Sequence, residues 1–571
     1  MNRRLTILAA LTALTLTTLA QEVPAPRFAS PFDFPLYLSG NFGELRSGHF
    51  HGGVDFKTQD TTDHPIHCIA DGYISRVSVS NGGYGNGMYI THRNGFTSVY
   101  GHLNAFLPQI AERIRQYQYE HETYVCNLTF GPDEYPVTEG EIVAMSGNTG
   151  YSFGPHLHME LRQTDTDEPV DPLAFYRNRI PDDVPPTASA LMVYADEGLG
   201  TVASSTQQPA EYGSRKAVAA IRNGSVQGGA APFTVWGRIG CAIAAYDYMT
   251  ATHNFYGVRS VRLYVDDRLV SESTVDRFSF DENRMLDSWI DYEERLATGR
   301  WFMRSTVAER NTLRMLHTGR ERGWITVDEE RDYRCRYELR DIYGNLQTVR
   351  FTLRGQRQEQ EQPLKNYFYH LEAGRAHAVS WKNLTLWLPE DALYDDLQLS
   401  SQTATADGEG GPTELVSRIT PLKEDAELRM ALPAAAQGDK SKYYIAELFK
   451  GSALYRGGSY KYGWLKTTVS RLGTYVICAD TVPPRILPKG EGSWSSTGTV
   501  VFGLTDEHTG IKSYRGTVDG EWKLFRFNSK DMKLWCDLRA EGVTAGHHIV
   551  EVTVTDMRDN VTTECFDIQL P

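Results

Sequence analysis

Short runs in which apolar and polar residues alternate recur along most of the chain. Val99-Tyr100-Gly101-His102-Leu103 alternates, and so does the stretch from Val379 to Leu388. Period two is the mark of a strand with one buried face. A hairpin is expected over Tyr84–Gly95. Ile110 to His121 breaks the pattern and reads as a helix, inside a long stretch between Leu103 and Glu139. Leu5 to Leu19 is a different exception: an uncharged run behind Arg3 and Arg4, closed by Thr18-Leu19-Ala20. That is the form of a secretory signal peptide over residues 1–20, and it is short for a span, which needs about 20 apolar residues. No later stretch is long and apolar enough to cross a bilayer.

The strand pattern repeats on a larger scale. Asp182-Asp183-Val184-Pro185-Pro186 recurs as Asp480-Thr481-Val482-Pro483-Pro484, and paired prolines make stiff, extended joints. Gly257–Asp266 aligns without gaps on Gly510–Asp519, and Asp341-Ile342-Tyr343-Gly344-Asn345 matches Asp556-Met557-Arg558-Asp559-Asn560. Three matches in one order predict two homologous β-sandwich domains of immunoglobulin-like type, at 183–355 and 481–571. The first carries an insertion that includes the Gly/Ala/Ser-rich 199–231. Between them, after the polar linker 356–362, a further β domain is expected at 363–480, with a Gly-rich loop at 403–412. Residues 30–180 remain as a separate N-terminal domain.

The 571 residues suit about three to five domains at roughly 100–200 residues each. The formal net charge is -14, the wrong sign for general binding of nucleic acid or an anionic membrane. Seven cysteines are scattered without metal-type spacing, so at least one is unpaired within the chain if disulfides form after export.

Nine of the sixteen histidines lie between residues 49 and 158. Three motifs organise them: His51-Gly52-Gly53-Val54-Asp55, the strand carrying His102, and Gly154-Pro155-His156-Leu157-His158. Residues two apart in a strand share a face, so His156 and His158 look into one cleft. One His, one Asp and one His of this pair make the three-ligand set of a catalytic zinc that keeps a position for water. His102 and His156 then stand beside the metal, as a proton acceptor or as donors to a developing oxyanion. The two glycines are expected to let the backbone pass close to the metal. His49, His64, His67, His92 and His121 read as loop or surface histidines.

With Asn41-Phe42-Gly43, the hairpin and Gly140-Glu141-Ile142-Val143-Ala144, these motifs make residues 37–177 resemble the lysostaphin-type (LytM) zinc metallopeptidases. The resemblance implies a LytM-like antiparallel β fold. It also implies that His51, Asp55 and His158 hold Zn2+, and that His102 and His156 are catalytic. It implies hydrolysis of peptide cross-links in peptidoglycan, with peptidoglycan peptides as substrate; the signal peptide implies a location in the periplasm or at the cell surface. A direct D,D cross-link is the expected bond rather than a glycine bridge. The alternative is a non-catalytic wall-binding or amidase-regulating LytM-like protein, as in members that have lost ligands. All five residues are retained here. The insert after Leu103 is longer than the family's turn and stands as a groove wall or lid. The β domains offer a surface for a cell-envelope protein partner. Within them, Trp381 and Trp387 read as core, with sugar stacking as the alternative.

Overall fold

The computed structural model describes residues 26–204, 216–229, 231–358, 367–381, 383–400, 411–416 and 418–571. The expected signal peptide and most of the 356–362 linker and the 403–412 loop lie outside them. The chain is mainly β, as the alternation predicts. Among the described residues, no helix is long and apolar enough to cross a membrane.

The N-terminal sheet is built from β1 (Leu38–Gly40), β2 (Val54–Lys57), β3 (Gly72–Val79), β4 (Asn86–His92), β5 (Phe96–Gly101), β6 (Cys126–Thr129) and β7 (His156–Gln163). They lie in the order β1-β2-β7-β5-β4-β3-β6, every neighbour antiparallel. The expected helix, α1, runs from Pro108 to Glu120. Proline at its start needs no amide partner there. Ile110, Ile114 and Gln118 form its buried stripe. It contacts β6, at the opposite edge of the sheet from β2 and β7. The insert is therefore not a lid over the strands that carry the histidine motifs.

The repeat seen in the sequence is a repeat of strand pairing. Strand 260–265 lies between 268–274 and 332–340, and 332–340 turns through 341–345 into 346–355. In the last domain, 511–518 lies between 521–522 and 546–556, which turns through 556–560 into 561–570. The turn chemistry explains why joint and turn recur together. Asp341 accepts from the amides of Gly344 and Asn345, and the Asn345 side chain donates to Asp341 and to the Asp182 carbonyl. Asn560 does the same with Asp556 and the Asp480 carbonyl. Each asparagine ties its turn back to its own proline joint.

The structure describes part of the Gly/Ala/Ser-rich insertion. Its described part is strand, with Thr187–Ser204 pairing Phe233–Tyr246 and Lys216–Arg222. Small residues such as Ala217 and Ala219 are buried there, which close packing favours. In the 363–480 region, strand 384–388 pairs with 377–381 and 420–431, burying Leu384, Leu386 and Leu388. Trp387 alternates onto the outer face and is 47% exposed, so it is not core. All seven cysteines are free thiols.

The first two domains share a core. Phe42 and Phe50, from beside the N-terminal sheet, pack among Phe278 and Trp289 of the 183–355 region. The last domain closes back on the first. Glu541 accepts from Arg115 (2.8 Å) and from Tyr119 (2.5 Å) on α1. Arg515 pairs with Glu122, and Ser529 bonds the Asn81 carbonyl.

Candidate active site and metal centre

Strand β7 is the spine of the site. Its register sets His158 beside Asp55 of β2 on one side and beside Gly101 of β5 on the other. The His51-Gly-Gly-Val-Asp55 segment lies against β7 because its glycines permit it. A Cβ on Gly53 would stand 2.2 Å from the Met159 carbonyl oxygen. The close approach is thus to the neighbouring strand, not to the metal position as the sequence suggested.

His51, Asp55 and His158 converge. Asp55 Oδ1 lies 3.0 Å from His51 Nε2 and 2.9 Å from His158 Nδ1, and the two nitrogens are 2.9 Å apart. All three residues are buried. The outer hydrogen bonds set the tautomers. His51 Nδ1–H donates to the Asn41 carbonyl at 2.7 Å, and His158 Nε2–H donates to Glu160 at 2.8 Å. That leaves two imidazole lone pairs and a carboxylate oxygen facing one another, an arrangement that demands a cation at its centre. Burial opposes charge on His158, but its bonds to Asp55 and Glu160 outweigh it and lift the pKa to about 9. Burial also opposes ionisation of Asp55, yet His51 and His158 hold its pKa well below the usual carboxylate range. The donor set and its tautomers fit a divalent metal of the zinc type.

His102 and His156 stand over this triangle, their ring centroids 4.7 Å apart. His102 Nδ1–H donates to the Thr149 carbonyl and His156 Nδ1–H to the Gly154 carbonyl, each at 2.8 Å. Both Nε2 lone pairs remain available; that of His156 is 3.6 Å from Asp55 Oδ1. Burial, then the neighbouring imidazoles, push His102 down to about 3, and burial lowers His156. His102 has φ 61°, the left-handed region that is costly for a residue with a Cβ. Strain of that kind concentrates at functional sites.

Five residues support the site in roles that the sequence did not assign: Glu160, Tyr84, Arg162, Arg46 and Asn41. Glu160 also accepts from Tyr84 and from Arg162 Nε (2.7 Å). Glu160 and Arg162 continue the period-two face of His156 and His158, so that rule carried further would have found them. Arg46 bonds Asp55 Oδ2 at 2.7 Å and holds the carboxylate's outer oxygen. Asn41 is gripped from the 183–355 region: its Nδ2 donates to the Gly257 carbonyl (2.9 Å), and its Oδ1 accepts the Gly257 amide (2.8 Å). Of the histidines set aside, His49 is exposed, but His92 is buried, bonded to Ala70 and Ser98. It is a core histidine rather than a surface one, because β4 is an interior strand.

The rim of the cleft carries Tyr151 and Phe153, 61% and 77% exposed. The last domain reaches this rim. Lys530 Nζ donates to the Ser152 carbonyl and lies 4.8 Å from the Phe153 ring centroid.

Comparison with known proteins follows the same division. The family model Peptidase family M23 matches residues 49–119, and a Zu5-like domain model matches 368–480. The M23 match spans His51, Asp55 and His102 and stops within α1. Strand pairing across the sheet, rather than continuity of the match, brings in His156 and His158. Among curated proteins, the DD-carboxypeptidase/endopeptidase Mpg of Neisseria meningitidis is 31% identical over 148 residues, 26% of each chain. The glycyl-glycine endopeptidase ALE-1 of Staphylococcus capitis is 29% identical over 136 residues, 23% of this chain and 30% of that one. The match thus spans between a quarter and a third of each of these two relatives. Among solved structures, the catalytic domain of lysostaphin from Staphylococcus simulans is 26% identical over 25% of this chain and 90% of its own, with a TM-score of 0.18. The LytM-type resemblance of residues 37–177 is borne out: this part of the chain is of the M23 peptidase type.

Proposed function

We propose that this chain is an exported zinc metalloendopeptidase that hydrolyses peptide cross-links of bacterial peptidoglycan. The observation that carries the reading is the meeting of His51, Asp55 and His158 in one buried triangle, with His102 and His156 directly above it. His51 Nε2, Asp55 Oδ1 and His158 Nδ1 would hold the ion. Zinc supplies electrophilic activation of the scissile carbonyl and of the attacking water.

The chain's own residues do the rest. Asn41 and Glu160 fix the two imidazole ligands, and Arg46 fixes the carboxylate. His102 and His156, both neutral with free Nε2 atoms, accept the proton given up by the attacking water. The one that takes it then carries the proton that the departing amine needs. Tyr151 and Phe153 form an apolar wall for a peptide strand entering beside His156.

A D,D cross-link is the bond we assign, in line with the Neisseria relative being a DD-carboxypeptidase/endopeptidase. The expected signal peptide places the work in the periplasm or at the cell surface. The test is digestion of purified cross-linked peptidoglycan by the full mature protein, with and without a chelator, read by mass spectrometry. Loss of cross-linked dimers that stops with chelator and returns with zinc supports the proposal. Intact dimers with zinc-loaded protein overturn it and favour the non-catalytic regulator.

A further inference from the structure

A second cluster of possible metal ligands lies at the joint between the N-terminal domain and the first sandwich. Asp182 comes from the proline joint, Asp247 from the end of strand 233–246, and Asp341 from the turn that the joint asparagine braces. One carboxylate oxygen of each lies within 4.8 Å of the others. Val184 and Thr250 donate to Asp182 Oδ1, and Gly344 and Asn345 donate to Asp341, but these bonds leave part of the cluster unmet. Asp247 is 5% exposed, and its Oδ1 has no partner; Asp182 Oδ2 is also buried without one. Among the described residues, no Lys, Arg or His lies within ion-pair distance of any of the three. Two buried carboxylates and a half-buried third, with two orphaned oxygens among them, are not a stable arrangement without a cation. Burial, then Asp341 and Asp182, push Asp247 up to about 8.

The last domain supplies a control within the same molecule. Asp480, Asp506 and Asp556 occupy the equivalent positions and are also close together. There, Asp506 Oδ2 takes the amides of His508, Thr509 and Gly510, and Thr509 Oγ1 donates to Asp480. Protein donors meet that cluster's needs, and we assign no ion to it.

We propose that Asp182, Asp247 and Asp341 form a binding site for a hard divalent cation of the calcium class, separate from the histidine site. The donors are all oxygen, which disfavours zinc and softer metals. Two of the three sit on a joint and a turn, a setting that suits the variable geometry of calcium better than the strict octahedron of magnesium.

The site is linked to His51 by hydrogen bonds. The backbone of Asp247 pairs in both directions with Tyr256, whose hydroxyl donates to the Leu38 carbonyl. The next residue, Gly257, grips Asn41, and the Asn41 carbonyl holds His51. A cation at the aspartates fixes the joint from which that brace extends.

The experiment uses the full chain, stripped of metal and titrated with calcium chloride alone by calorimetry and thermal unfolding. The expected result is one calcium bound per chain and a rise in unfolding temperature of at least about 3 °C at millimolar calcium, since ligand binding to the folded state alone stabilises it. Asp247→Asn should fold, because it removes a repelled charge, and should lose at least tenfold in calcium affinity together with the thermal shift. Asp506→Asn and His51→Ala should keep both. Absence of binding heat and thermal shift in the parent would overturn the proposal. So would an undiminished shift in Asp247→Asn, or an equal response to magnesium.

Discussion

Replacing Glu160 by Gln keeps the shape of the side chain and removes its charge. The carboxylate accepts from three donors: His158 Nε2 at 2.8 Å, Arg162 Nε at 2.7 Å, and the Tyr84 hydroxyl. An amide has one acceptor oxygen. If that oxygen keeps His158, the amide NH2 is turned toward the Arg162 N–H, donor against donor. Hydrogen bonds to charged groups contribute about 1.5–3 kcal/mol each, so one loss of that size is unavoidable. Arg162 retains Asp167 at 3.0 Å, which limits the damage to the fold. The effect on the metal is separate. Loss of a carboxylate behind a ligating imidazole costs about 10–100-fold in metal affinity, or about 1.4–2.7 kcal/mol. The assay is competition for zinc between the stripped protein and a chromophoric chelator, with near-ultraviolet circular dichroism as the check on folding. Zinc affinity within twofold of the parent, in a natively folded variant, would refute the role given to Glu160.

His51→Ala should lose zinc and turnover together, whereas His102→Ala should keep stoichiometric zinc and lose about 10²–10⁴ in kcat; metal analysis alongside kinetics separates the two. Asp171 is buried beside Arg259 at 3.1 Å, and burial raises its pKa to about 6. The folded state therefore holds the extra proton between about pH 4 and 6, so this group's contribution to stability falls as pH rises through that window and is flat above it. The unfolding temperature of Asp171→Asn minus that of the parent should rise over the same window and then level; a difference independent of pH would refute the assignment. Glu541→Ala removes the acceptor for Arg115 and Tyr119, at a cost of about 1–3 kcal/mol to the docking of the last domain. It should speed hydrogen exchange in 108–120, and unchanged exchange there would show that the contact does not hold α1.

What could be read from the chain was what local rules control. Period two placed His156 and His158 on one face, helical periodicity located α1, and the Asp-to-Asn turns revealed the repeated strand pairing. Trp387 misled because alternation alone does not say which face is buried. Other contributors had no local signal. Asn41 is held by Gly257, 216 residues away, and nothing around either residue announces the other. Arg46 reaches Asp55 only because the 45–50 hairpin folds back over the site. The insert was legible as a helix, but its outward face is explained by Glu541, 422 residues beyond Tyr119.

The contacts between the first and last domains carry a consequence for the order of events in time. Tyr119 finds its partner 422 residues later, and Asn81 finds Ser529 448 residues later. At roughly 5–20 residues per second, synthesis leaves about 20–90 s between the two ends of each contact. The brace on His51 waits for Gly257, and the hold on the Ser152 rim waits for Lys530. The region that emerges first is therefore completed last, and a truncated or stalled chain presents the histidines without the supports that set their positions.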